Sequence, residues 1–133
     1  MKRLLITLLL AVLSTSAMAE WILMGESKDF TNYADFSTIK KAGDKVKMWT
    51  MQDYKTMQIE EMATILKFLS MKVQKEYDCQ NETVSVLAYF WYSSNMGEGQ
   101  TVLFSTKRSD SGTSPVVPGT IWQAEWKIAC GKR

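Results

Sequence analysis

Cysteine and lysine are the residue types whose spacing in this chain invites a chemical reading. Cys79 and Cys130 are its two cysteines. They lie about fifty residues apart, far from the C-x-x-C spacing of a redox pair or a zinc knuckle. Histidine is absent, which removes imidazole bases, Ser-His-Asp triads and histidine metal ligands together. Glu60 and Glu61 are adjacent and point in different directions, unlike a metal-binding pair. Gly97-Glu98-Gly99 is a fragment of a phosphate loop with no helix expected after it, so it reads as a turn. Asn81-Glu82-Thr83 has the form of a glycosylation sequon and is read as accidental. No constellation for general acid–base or nucleophilic catalysis emerges. The reading is therefore a protein that is not an enzyme, with no cofactor and no metal.

Four lysines gather around one turn signal, Ala42-Gly43-Asp44. Lys40 and Lys41 precede it, and Lys45 and Lys47 follow. As a candidate partner-binding patch they would meet acidic segments of a protein or a sulfated glycan. As plain structure they would be a solvated hairpin whose lysines guard a sheet edge. Leu87, Tyr89 and Trp91 are a second candidate set. They would pack beneath a helix or form a dimer interface enriched in aromatics. Trp49, Trp122 and Trp126 are expected in the core, where large aromatic side chains dominate burial.

The compartment is set by the first nineteen residues. Met1-Lys2-Arg3 is basic, Leu4 to Leu13 is almost unbroken apolar sequence, and Ala17-Met18-Ala19 is an A-x-A cleavage signal before Glu20. The run is about half the roughly 20 apolar residues that span a bilayer. Cleavage after Ala19 is expected, placing the mature chain outside the cytoplasm: periplasmic, secreted or at the cell surface. A lipoprotein would carry cysteine at position 20, so Glu20 implies no lipid. Of 133 residues, less 19, 114 remain, enough for a single domain over 20–133. Lys2 and Arg3 leave with the signal, so 16 basic residues become 14, against 14 acidic ones. A neutral mature chain argues against bulk attraction to nucleic acid or anionic membranes. An even cysteine count in an exported chain points to one disulfide.

These side chains must be positioned by mostly extended elements. Trp21–Met24 and Asp29–Phe36 read as short strands. Lys45–Tyr54 is rich in Val, Trp and Tyr without Gly or Pro, and reads as a longer one. In Lys55–Leu69, Met57, Ile59, Met62, Ile65, Leu66 and Leu69 recur at spacings of three and four, which predicts a helical turn or two. Met71–Cys79 alternates as a half-buried strand. Glu82–Tyr92 is the strongest strand signal, with Val84, Val86, Ala88, Phe90 and Tyr92 on one face and Leu87, Tyr89 and Trp91 on the other. Both faces turn apolar, so one must be covered by a helix or a second subunit. Ser93–Gly99 reads as a hairpin loop and Thr101–Ser105 as the return strand. Thr120–Cys130 obeys strand alternation and helix punctuation equally, with Pro118 before it and Gly131 after.

The order of Trp21, Tyr33-Ala34-Asp35, Lys40-Lys41-Ala42-Gly43-Asp44, Val46-Lys47-Met48-Trp49, Asp53-Tyr54, Ser70-Met71-Lys72, Tyr77-Asp78-Cys79, Pro118-Gly119-Thr120 and Ala129-Cys130 resembles the surface-adhesin protein E family of Gram-negative bacteria. The likeness covers nearly all of 20–131. It implies an α+β fold: an antiparallel sheet of about six strands with a C-terminal helix, closed by a disulfide between Cys79 and Cys130. Pro118 to Cys130 would then be that helix, and 55–70 a loop leading into a strand. The resemblance also implies a dimeric surface adhesin that binds host extracellular-matrix proteins such as vitronectin and laminin. The family's namesake is lipid-anchored, and Glu20 departs from that. The departure raises an alternative, a soluble periplasmic envelope factor or inhibitor that binds a protein partner.

Overall fold

The computed structural model describes residues 19–109 and 112–132. The expected export signal lies, but for Ala19, outside the described residues. Six strands follow one another in an antiparallel sheet: β1 (Ile22–Glu26), β2 (Phe30–Ala42), β3 (Lys45–Glu61), β4 (Ile65–Asp78), β5 (Thr83–Tyr92) and β6 (Thr101–Ser105). Sheet order equals chain order, so every connection is a hairpin. A two-residue strand, β7 (Ser114–Pro115), pairs with the start of β5. One helix, α1 (Ile121–Ala129), packs on one face.

Alternation along the strands explains the two layers. Ala34 of β2, Val46 and Met48 of β3, Tyr77 of β4 and Val84 of β5 are buried together with Trp126 and Ala129 of α1. Cys79 and Cys130 form a disulfide, with Cα atoms 5.5 Å apart, which ties the end of α1 to the end of β4. The helix reading of the last segment prevails because its ends are capped. Thr120 is the N-cap, and its hydroxyl accepts from the Gln123 N–H. Gly131 takes a positive φ of 65° just past the helix, where a left-handed residue ends it.

Residues 55–69 correct both the helical expectation and the loop implied by the resemblance. They form the distal half of a long β3–β4 hairpin, in which Gln58 pairs with Phe68 and Glu61 with Ile65. A bulge explains the misleading spacing. Asp53–Gln58 on β3 spans the same stretch as Ser70–Phe68 on β4, so strict alternation is lost there. Beyond it the hairpin outruns its neighbours, since β2 reaches only Tyr54 and β5 only Ser70. Met57, Ile59, Met62 and Ile65 are consequently exposed rather than gathered on a buried stripe.

A second bulge corrects the face assignment in β5. Val86 lies opposite Lys75 and Ala88 opposite Gln74, which leaves Leu87 without an opposite residue. The extra residue switches the faces. Val86, Tyr89 and Trp91 line one groove on the helix side, while Phe90 and Tyr92 line a cavity on the other.

Candidate functional site

The β2–β3 turn brings the four lysines to one end of the sheet. Gly43 takes the positive φ of 63° that so tight a turn requires. Lys40 pairs with Lys47 and Ala42 with Lys45 in the ladder, and Lys41 pairs with the buried Val46. Register therefore places Lys40, Lys45 and Lys47 on the face away from α1, and Lys41 on the helix side. All four side chains are exposed. Lys41 Nζ lies 3.8 Å from where a Cβ on Gly131 would stand, so the end of α1 adjoins the patch. Lys45 makes an ion pair with Asp78 at 3.6 Å. Among the described residues, Lys40, Lys41 and Lys47 have no carboxylate within ion-pair distance, so their charge is open to a partner.

Asp78 anchors the neighbouring corner. Its carboxylate accepts from the Asn81 side-chain amide, the Asn81 N–H and the Gln80 N–H, each at 3.0 Å. These hydrogen bonds, Asn81's first, and the Lys45 ammonium hold its carboxyl down to about 2. The Cys79 N–H donates to Asp44 O at 2.9 Å, joining the disulfide to the lysine turn. Tyr77-Asp78-Cys79 is thus a structural corner beside the patch.

A buried polar cluster at the helix–sheet interface lies outside the sites expected from sequence. Glu125 of α1 is 1% exposed. Its Oε2 accepts from Lys75 Nζ and from the Tyr77 hydroxyl, and its Oε1 from Asn32 Nδ2, at 2.8–2.9 Å. Trp126 Nε1 donates to Asp78 O at 2.9 Å beside it. Burial pushes the Lys75 ammonium down against the upward pull of Glu125. Burial, reinforced by the Glu125 charge, drives the Tyr77 phenol well above its ordinary range. A signal was present: Lys75 interrupts the apolar alternation of Met71, Val73 and Tyr77. Likewise Glu125 sits three residues after Trp122 and four before Ala129, on the apolar stripe of α1.

Trp122 departs from its expected core position. It is 39% exposed, and its ring lies 3.7 Å from the Lys75 ammonium, a cation–π contact. It stands between two grooves on the helix side. One, of about 390 Å³, runs along Val84, Val86, Pro115 and Val117. The other, of about 270 Å³, is walled by Met71, Val73, Tyr89 and Trp91. Tyr89 and Trp91 thus face open space beside α1, while Leu87 is the bulge residue outside that lining. Trp126 is buried as expected, whereas Trp49 is half-buried on the uncovered face.

The lysine end, the grooves and the interface cluster hold no catalytic triad. No group of three or more metal-ligating side chains occurs among the described residues. No helix among them is long and apolar enough to cross a membrane.

Comparison with known proteins bears on the whole domain. A family model described as surface-adhesin protein E matches residues 21–131. No curated protein matches the chain. Among solved structures, crystal form II of Haemophilus influenzae protein E is similar with a TM-score of 0.65 at 16% identity, covering 88% of this chain and 91% of that one. Protein E from non-typeable Haemophilus influenzae is similar with a TM-score of 0.58 at 17% identity, covering 86% and 78%. At these identities the likeness is one of fold.

Proposed function

The chain belongs to the surface-adhesin protein E family, and on that premise we propose that it is an exported, non-enzymatic protein that binds host extracellular-matrix proteins. Vitronectin and laminin are the partners to test. The carrying observation is the open charge of the lysine end. Lys40, Lys41 and Lys47 are exposed and unpaired among the described residues, on a mature chain of zero net charge. On a neutral protein, attraction to anionic partners must come from such a local cation patch, which suits acidic segments of a matrix protein. Cleavage after Ala19 belongs to the same reading. So does a homodimer, for which Leu87, Tyr89 and Trp91 remain the candidate interface, the latter two through the groove beside α1. A monomeric mass in solution would remove the dimer.

Glu20 favours a second reading. It occupies the position where a lipid-anchored protein carries cysteine, which suits a soluble periplasmic factor or inhibitor with a protein partner. Antibody labelling of intact and of permeabilised cells separates the two. Labelling of intact cells supports the matrix-binding reading. Labelling only after permeabilisation overturns it in favour of the periplasmic one.

A further inference from the structure

The face of the sheet away from α1 carries a cavity of about 260 Å³, a size for one small ligand rather than a long chain. Its walls include four aromatic rings, Trp21, Trp49, Phe90 and Tyr92, and two charged groups, Asp35 and Lys72. Asp35 is opposite Trp49 in the β2–β3 ladder, and Lys72 is opposite Phe90 in the β4–β5 ladder. The two charges thus stem from strands two spacings apart, about 10 Å.

Each charge lacks a counter-charge. Asp35 is 3% exposed, yet no ammonium or guanidinium among the described residues lies within ion-pair distance of it. Its Oδ1 accepts from the Ser37 N–H at 3.0 Å and the Ser37 hydroxyl at 2.5 Å. Its Oδ2 has no donor among the described residues. No buried side-chain oxygen among the described residues lacks a partner, so Oδ2 keeps access to the open cavity, where a cationic ligand can meet it. Lys72 has neither carboxylate nor acceptor among them. Its ammonium sits 5.1 Å from the Tyr92 ring centroid and 5.8 Å from that of Trp21.

The Lys72 stem is held in place. The loop after β5 folds over it, and a Cβ on Gly97 would collide with Lys72 Cε. That loop is pinned by Gly97 N–H to Ser70 Oγ and Met96 N–H to Asp53 Oδ1, both at 2.8 Å. Trp49 and Phe90 lie 6.1 Å apart at 45°, forming an angled wall near Asp35.

The Trp49 and Phe90 rings beside a carboxylate with no counter-ion suit an organic cation, and quaternary ammonium groups are what aromatic sites hold best. The open ammonium of Lys72 suits an anion at the far end. We propose that this cavity binds a zwitterionic headgroup, with its quaternary ammonium against Trp49 and Asp35 and its phosphate on Lys72. Phosphocholine is the simplest ligand of this class. The site goes beyond matrix-protein binding and uses none of the four patch lysines.

The test is calorimetric titration of the exported protein with free phosphocholine, alongside flotation with phosphatidylcholine vesicles. Saturable binding is expected, weakened about tenfold or more by Asp35→Asn and by Lys72→Met, each removing one charge contact. Asn keeps the acceptor for Ser37 and Met keeps the stem under the loop, so both variants are expected to melt with the parent. Binding of free phosphocholine together with vesicles supports the proposal and makes lipid headgroups the source. Binding of the free form alone supports it and makes a soluble or polymer-linked group the source. No saturable binding at millimolar phosphocholine overturns the proposal, as does binding that neither substitution weakens.

Discussion

Glu125 and Lys75 form an ion pair at 2.9 Å with side chains only 1% and 3% exposed. One residue is on the helix and the other on the fourth strand, so the pair fixes where α1 rests on the sheet. Glu125→Gln leaves the ammonium buried without a counter-charge, and should cost about 3–5 kcal/mol of stability. Lys75→Met combined with Glu125→Gln removes both charges; the Gln carbonyl oxygen accepts from the Asn32 amide, and its NH2 donates to the Tyr77 hydroxyl oxygen. The double variant should recover most of the loss, because desolvation roughly offsets attraction in such pairs. Urea unfolding of the three proteins measures this. A double variant as unstable as the single one would show that the charges are not coupled.

The disulfide makes a second tie between the same two elements. Cys79 and Cys130 are 51 residues apart in sequence, for which chain-entropy models give about 4 kcal/mol. The Cys79→Ala, Cys130→Ala variant should lose about 2–5 kcal/mol. Denaturant midpoints under oxidising and reducing conditions check it. An unchanged midpoint on reduction would mean that α1 stays docked without the tether.

Asp78 should make the lysine corner acid-sensitive. Its folded carboxyl is held down to about 2 from an ordinary value of 3.8. A depressed carboxyl contributes stability that is present above the unfolded value and lost as the pH falls towards the folded one. Stability should therefore drop between about pH 4 and pH 2 more steeply in the parent than in Asp78→Asn. Thermal melts across that range read the difference. Parallel curves would contradict the role given to the Asn81 and Gln80 hydrogen bonds.

Much of this fold was legible because its signals are local. Lys45–Tyr54, Thr101–Ser105 and the Ala42-Gly43-Asp44 turn announce themselves by β-branched and aromatic content or by glycine. The two cysteines announced their bond by compartment and count. The segment 120–130 was not decided by pattern. What decides it is the Thr120 cap and a docking surface formed by distant strands. Residues 55–69 depart from their helical pattern because apolar side chains on an exposed hairpin arm, offset by a bulge, imitate helical spacing. The bulge at Leu87 was invisible for a related reason: an unpaired residue has no composition of its own, yet it reverses which side chains share a face. The Glu125 cluster was half legible. A charge on an apolar stripe can be seen in each element, but the partners lie 48 to 93 residues away and only the fold brings them together.

Open charge at the lysine end is the centre of the functional account. Binding of immobilised vitronectin and laminin should be compared for the parent protein and a variant with Lys40, Lys41 and Lys47 all changed to Glu, leaving the Lys45–Asp78 ion pair in place. The account predicts saturable binding by the parent, weakened as salt rises, and lost by about tenfold or more in a variant with the parent's thermal midpoint. Binding that is absent from the parent, or equal in both proteins, would contradict it.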